Sequence, residues 1–559
     1  MGFEMSRRVG VTGATAAVAV ATLVATLGSC AVGRQASEAE RLVEHFAEAL
    51  DSQDVGGAAS LTSYPNAASA SIQQIFDGLH PESVDYKVSQ FIGLDEASGF
   101  FTLDAVWDFG RDRNWTYSVS GSVRKLAVGW RISWEPSVVM PELGHSRAVN
   151  LVRTDAAAPR VVDASGAVLM DEQTINAIRL DPAHMPDPVA STTALAKAIE
   201  PVAPLITSQS LLQDLVVAQG KSITAVTLRD ADFEILEPEL SPIPGVVLEK
   251  QPKLIATDRR VVSPVLDGLR NVWQANRDAT SGWAVRISER SGGEPIQMAG
   301  FQGPPGPDVA ATLDPKLQLA AEDAVVSVGT PATIVAIQPS TGAVLAVAQN
   351  SYATDIGPIS LTGLFPAGSN LELFRDAAAA MKGVAPSNVS ASDILDAASD
   401  LGIGVDFDVP GLDEVTGSLP GDGSGMEGIR ERKPKSDAVM VSPFGMAVVS
   451  ASIARGAPTA PMIAYGQPST ADTEQEPLRA DMVERLRGLM RDAAKNPDLE
   501  SLRSMPDVAA YPASNGGDQW LIGNRGDLAF AVFIQDADGS DQAAKMTTRM
   551  FRALSKPQP

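Results

Sequence analysis

The sequence predicts a multidomain α+β protein, and three observations carry that prediction. At 559 residues the chain is too long for one ordinary core, so about three domains are expected. Its 44% apolar content can build those cores and excludes a chain disordered throughout. Helical spacing and strand-like alternation both occur, in distinct blocks.

Charge and special residues narrow the function. The 44 Lys+Arg against 68 Asp+Glu leave a formal charge of −24. That sign argues against nucleic acid as the main partner, because phosphate binding is driven by basic residues. The surplus is expected to be a solvated acidic surface. One cysteine, Cys30, excludes an internal disulfide framework and any multi-cysteine metal site. The four histidines are His45, His80, His145 and His184. None follows His184, so that part alone can build neither a Ser-His-Asp triad nor a histidine-ligated metal site. No cofactor and no metal are expected.

The amino terminus has the pattern of an export address. Arg7 and Arg8 precede an apolar stretch over residues 9–25, a charged region followed by an apolar one. It ends in Leu27-Gly28-Ser29-Cys30, which resembles a bacterial lipobox. That resemblance implies cleavage before Cys30 and a diacylglycerol on its thiol. The alternative is a plain membrane anchor, for which seventeen Ala-rich residues are short against a core of about 30 Å at about 1.5 Å per residue.

Further along, residues 37–61 have helical spacing (Ala39, Leu42, Val43, Phe46, Leu50), closed by Asp54 and Gly56-Gly57. Strand-like runs follow at residues 100–103, 115–119 and 130–134. A helix with curved strands and inward aromatics predicts an α+β cone. Trp107, Trp115, Trp130 and Trp134 are expected to fill its core, with a ligand pocket as the alternative. Residues 160–307 have weaker periodicity and many turn residues. Ser291-Gly292-Gly293 and Gly303-Pro304-Pro305-Gly306-Pro307 have the composition of an interdomain joint. The last part begins with Asp314 as helix cap and Pro315 at the first helical position. Two apolar strands then flank Pro339-Ser340-Thr341-Gly342, a hairpin. Helices are expected near 371–381, 391–401 and 441–454, a strand pair at 520–523 and 528–534, and a final helix over 542–554. Together they predict a sheet covered by helices.

These landmarks resemble the class B penicillin-binding proteins, in the low-affinity type with an NTF2-like amino-terminal extension. Residues 130–139, WRISWEPSVV, look like that extension's closing strand. Residues 159–166, PRVVDASG, resemble the lead into the dimerisation domain. Residues 312–318, TLDPKLQ, and 335–342, VAIQPSTG, are similar to the opening of the transpeptidase domain, and Ser442-Pro443-Phe444-Gly445-Met446-Ala447 to a later segment. The resemblance covers nearly the whole chain after Cys30. It implies an NTF2-like cone over 36–148, a penicillin-binding-protein dimerisation domain over 149–308 and a transpeptidase (β-lactamase-like) α/β sandwich over 309–559, after a signal peptide at 1–29.

The family's chemistry needs three motifs, and the sequence departs from each. Active members carry Ser-x-x-Lys, in which the serine attacks a D-Ala-D-Ala carbonyl and the lysine can take its proton. Here the matching stretch is Ser369-Asn370-Leu371-Glu372, with Glu372 in the lysine's place. No convincing Ser-x-Asn appears at 387–400, where Ser390-Ala391-Ser392-Asp393 is a poor substitute. Lys-Thr-Gly is absent, residues 509–514 reading AAYPAS, and Pro512 removes a strand donor. Ser-x-x-Glu before an apolar run is also a capping box, so Ser369 and Glu372 are expected to cap a helix rather than catalyse. Ser122-Val123-Arg124-Lys125 fits Ser-x-x-Lys by chance in a strand, and residues 423–428 fit G-x-G-x-x-G in a polar loop.

The expected protein is lipid-anchored at the outer face of the bacterial plasma membrane through Cys30. It is expected to bind or scaffold in peptidoglycan synthesis, with a degenerate transpeptidase domain. Its expected partners are peptidoglycan or cell-wall synthesis proteins, with β-lactams as candidate ligands. The alternatives are an active D,D-transpeptidase or carboxypeptidase using Ser369 with a substituted base, and a ligand sensor in the first domain.

Overall fold

Ser37 opens the chain's first described helix with a complete capping box, its hydroxyl taking the Glu40 amide while the Glu40 carboxylate takes the Ser37 amide. The computed structural model describes residues 37–420, 438–493, 496–505 and 507–555. The lipobox with Cys30 and the G-x-G-x-x-G stretch at 423–428 lie outside them. The expected single helix is split in two. Helix α1 (Glu38–Asp51) ends, and Asp54 does not close it but caps α2 (Val55–Ser60) through the Gly57 amide at 2.8 Å. An unexpected third helix, α3 (Pro65–Leu79), follows and buries Ile72, Ile75, Phe76 and Leu79.

These helices cover an antiparallel sheet of β1 (Ser83–Gly93), β2 (Ser98–Asp108), β3 (Asn114–Leu126) and β4 (Gly129–Ile132), in that order. Phe101, Leu103, Ala105 and Trp107 alternate inward along β2, as a half-buried strand requires. Trp107, Trp115 and Trp134 are buried, and Trp107 donates to the Tyr117 hydroxyl at 3.0 Å. No tryptophan lines a pocket of about 350 Å³ in this unit bounded by Gln53, Val55, Gln73, Phe76, Asp77, His80 and Pro81.

Two compact units divide the chain, and their boundaries differ from the expected ones. The first is Met1–Val152 with Ala284–Gly300, and the second is Arg153–Trp283 with Phe301–Pro559. Residues 284–300 therefore belong with the first unit rather than with 149–308. Strand Trp283–Glu289 pairs with Arg147–Arg153 on one side and Ile296–Phe301 on the other. Ser291-Gly292-Gly293 is the turn of that hairpin and not an interdomain joint, with positive φ at both glycines.

The second unit has more regular structure in its first part than the sequence suggested. Strand Val168–Leu180 pairs with Val246–Ala256 over most of its length and with Ile223–Arg229 along its second half. Helices Pro188–Ile199, Ser208–Val217 and Asp230–Leu240 pack on it around Leu195, Leu211 and Phe233. Beyond, a five-stranded antiparallel sheet runs in the order Val344–Gln349, Ala332–Ile337, Leu528–Ile534, Asp518–Arg525, Val508–Asn515. Asp314 caps helix Pro315–Val325 through the Lys316 and Leu317 amides, as expected. That helix and Gln542–Leu554 cover one face of the sheet. Pro443–Arg455 and Asn370–Lys382 pack with the other face. Pro443–Arg455 is buried along almost its whole length and is capped by Ser442 on the Gly445 amide. A Cβ at Gly445 would lie 1.8 Å from the Thr416 carbonyl oxygen, so only glycine fits there.

Candidate functional site

The approach to Ser369 is set by local pairing. Phe365 and Pro366 pair with Val441 and Met440, and the Ala367 amide donates to the Val439 carbonyl. Gly368 then takes φ 53°, where a Cβ would meet the Ser514 carbonyl oxygen at 2.4 Å. Glycine is what allows this close approach. Ser369 thereby reaches the edge strand Val508–Asn515. Its amide donates to the Ser514 carbonyl at 2.9 Å, and the Ser514 amide donates to the Ser369 hydroxyl at 2.8 Å.

The expected capping box at Ser369 and Glu372 does not form. A capping serine has extended backbone, as Ser37 (ψ 159°) and Ser390 (ψ 164°) do, but Ser369 is already helical at φ −73°, ψ −3°. Its oxygen turns to the edge strand and makes no bond to its own helix. The Glu372 carboxylate pairs instead with Arg375, one turn on, and is 55% exposed. Neither arrangement gives Ser369 a base.

The substitutes for the other two motifs are structural. Ser390 caps helix Ala391–Asp400 in a full capping box with Asp393. The Lys382 ammonium and the Ser390 hydroxyl hold the Asp393 carboxyl down at about 2. In the edge strand, residues 509–514 do form the expected strand, with Pro512 opposite Leu521. Residues two apart in a strand present their amides to the same side. Since Ser514 faces Ser369, Pro512 leaves its gap on that same free edge.

Sequence reasoning missed three residues here. Tyr511 packs toward the serine helix, and burial, then the carboxylates of Asp376 and Glu372, push its hydroxyl up to about 12. Ser514 supplies the contact that engages Ser369; the missing Lys-Thr-Gly and Pro512 marked the strand as altered, but nothing pointed to Ser514 itself. Asn370 is 0% exposed, and neither its amide nitrogen nor its carbonyl oxygen has a partner among the described residues. A buried, unbonded amide costs about 1–3 kcal/mol.

Ser369 and Ser514 also border a pocket of about 450 Å³ between the 515–518 turn, residues 496–499 and the start of helix Gln542–Leu554. Its charged lining groups among the described residues are Asp498 and Asp538, with no cation. Asp498 accepts from Ser540 at 2.6 Å. Such a lining suits a substrate carboxylate poorly, because like charges repel. Among the described residues no group of His, Cys, Asp and Glu could hold a metal ion, and no helix is long and apolar enough to cross a membrane.

Residues 38–147 match the family described as NTF2-like N-terminal transpeptidase domain. The match covers the three-helix and four-strand module of the first unit. No curated protein matches the chain. The protein is thus a mixed α/β, multidomain chain with an NTF2-like amino-terminal domain of the kind found in class B penicillin-binding-protein-like proteins.

Proposed function

We propose that this is a penicillin-binding-protein-like protein of peptidoglycan synthesis whose transpeptidase-like domain binds or scaffolds and does not turn over substrate. One observation carries the reading: Ser369 and Ser514 satisfy each other. An acyl-transfer site needs the serine hydroxyl free to attack beside a base, and backbone amides free to receive the oxyanion. Here the Ser369 amide is spent on a carbonyl and the Ser514 amide on the hydroxyl itself. Glu372 is paired with Arg375, and Pro512 breaks the row of donors on the edge. The amino-terminal domain match supports the family side of the reading. Lipidation at Cys30 would hold the protein at the outer face of the plasma membrane, beside peptidoglycan and the proteins that build it.

A turnover assay on D-Ala-D-Ala stem peptides tests this. The parent and Ser369→Ala are expected to release D-Ala at the same background rate. A product that disappears in Ser369→Ala would overturn the reading in favour of an active transpeptidase or carboxypeptidase.

A further inference from the structure

One end of the first unit's sheet carries charge opposite to that of the chain. In a protein of formal charge −24, the β3–β4 hairpin presents Arg124, Lys125 and Arg131. Arg124 stands directly opposite Arg131 in the ladder, while the adjoining pair, Val123 and Ile132, is buried. Alternation therefore puts both guanidiniums on the outer face, away from the helices. Like charges directly opposite each other destabilise a strand pair, and an external anion relieves that cost. Arg131 donates to the Trp130 carbonyl, and no carboxylate among the described residues pairs with any of the three cations. The acids nearest this end are Asp95 and Glu96, in the β1–β2 turn that meets β3 where the Lys125 amide donates to the Ala97 carbonyl. Asp95 is already engaged by the Ala97 amide and the Ser98 hydroxyl.

Exposed apolar side chains accompany the cations. Ile92 and Phe100 are a cross-strand pair, 48% and 52% exposed, and Phe100 is opposite Ser122, two residues before Arg124. At the turns, Leu126 is 43% exposed, Val128 71% and Leu94 59%. A purely polyanionic partner would use the cations and leave these apolar turns in water. A bilayer interface accommodates both, with cations at the phosphates and apolar tips below them. In the sequence, residues 26–36 join the apolar run at 9–25 to α1, a length of at most about 40 Å when fully extended. Helix α1 itself packs against β4.

We infer that the β3–β4 hairpin end of the amino-terminal sheet docks on an anionic lipid bilayer through Arg124, Lys125 and Arg131, with Leu126 and Val128 at the interface. This is independent of what Ser369 does.

The test is hydrogen exchange on the full chain reconstituted in vesicles, comparing phosphatidylglycerol/phosphatidylcholine with phosphatidylcholine alone. Exchange over residues 122–132 is expected to slow only in the phosphatidylglycerol vesicles. The slowing should vanish in Arg124→Gln/Lys125→Gln/Arg131→Gln, and at about 1 M salt, where the Debye length falls to about 3 Å. Leu126→Ser/Val128→Ser, with the cations intact, should lose part of it. Arg124, Lys125, Leu126 and Val128 are exposed and Arg131 is half-buried, so an unchanged thermal transition serves as the folding control. Equal exchange in the two lipids would overturn the proposal, as would slowing that survives removal of the cations. Equal protection by soluble polyphosphate in place of vesicles would also overturn it and reassign the face to a polyanion.

Discussion

Ser369 and Ser514 are joined by two hydrogen bonds running in opposite directions, amide to carbonyl at 2.9 Å and amide to hydroxyl at 2.8 Å, across 145 residues of sequence. The pair ties the start of a helix to the edge of the main sheet as another strand residue would. It uses the hydroxyl that the family's chemistry would need as nucleophile, and it defines what substitutions should do.

Replacing Ser369 by alanine removes the acceptor of the Ser514 amide and leaves the other bond in place. The loss should be about 0.5–1.5 kcal/mol of unfolding free energy, the usual net worth of one hydrogen bond. Urea denaturation of parent and variant would measure it. No loss would mean that the Ser514 amide is equally well served by water.

Gly368→Ala should cost more. The residue has φ 53°, and its new Cβ would start 2.4 Å from the Ser514 carbonyl oxygen. Positive φ alone costs about 1 kcal/mol for a residue with a Cβ, and the clash must open the Ser369–Ser514 pair as well. Faster amide exchange at Ser369 and Ser514 in this variant would report the opening.

Asn370→Leu should stabilise the fold by about 1–3 kcal/mol, since a buried amide without partners gives way to an apolar group of similar size. Thermal unfolding checks the sign. A destabilised variant would show that the Asn370 amide has a ligand or water to hold.

Tyr511 should titrate late. Difference spectra between the parent and Tyr511→Phe should place its ionisation near 12. The unfolded phenol ionises at about 10. The tyrosine's contribution to stability is therefore complete below pH 10 and is lost as pH rises toward 12. Asp376→Asn should bring the titration down, because a neighbouring carboxylate disfavours the phenolate.

The framework was legible in the sequence where local chemistry decides it. Asp314-Pro315 marks a helix start, and Asp314 caps as its residue type requires. The hairpin around Pro339 to Gly342 follows from two apolar runs and a turn. Helix α3 was missed because its apolar residues crowd into its second half, behind a run of Asn, Ala and Ser, and Tyr64 supplies no cap bond. The strands and helices between residues 161 and 279 were missed for a related reason. The surface-facing positions of Val246–Ala256 are mostly exposed, which weakens the apolar pattern.

The site divides in the same way. Ser390 and Asp393 form the local box that their spacing allows. Ser369 and Glu372 have the same spacing and do not, because a partner 145 residues away competes for the hydroxyl. A spacing rule sees only the helix itself. Pro512 and the missing Lys-Thr-Gly were the local signs that this edge had changed.

The most direct measurement of the central claim is intact-mass spectrometry of the protein after exposure to a penicillin, with Ser369→Ala as the control. With the serine hydroxyl held by the Ser514 amide and no base bonded to it among the described residues, the parent is expected to show no adduct, even at about millimolar drug, a concentration far above that needed for a micromolar site. A stable adduct on the parent that is missing from Ser369→Ala would contradict the account, since the nucleophile would then be working.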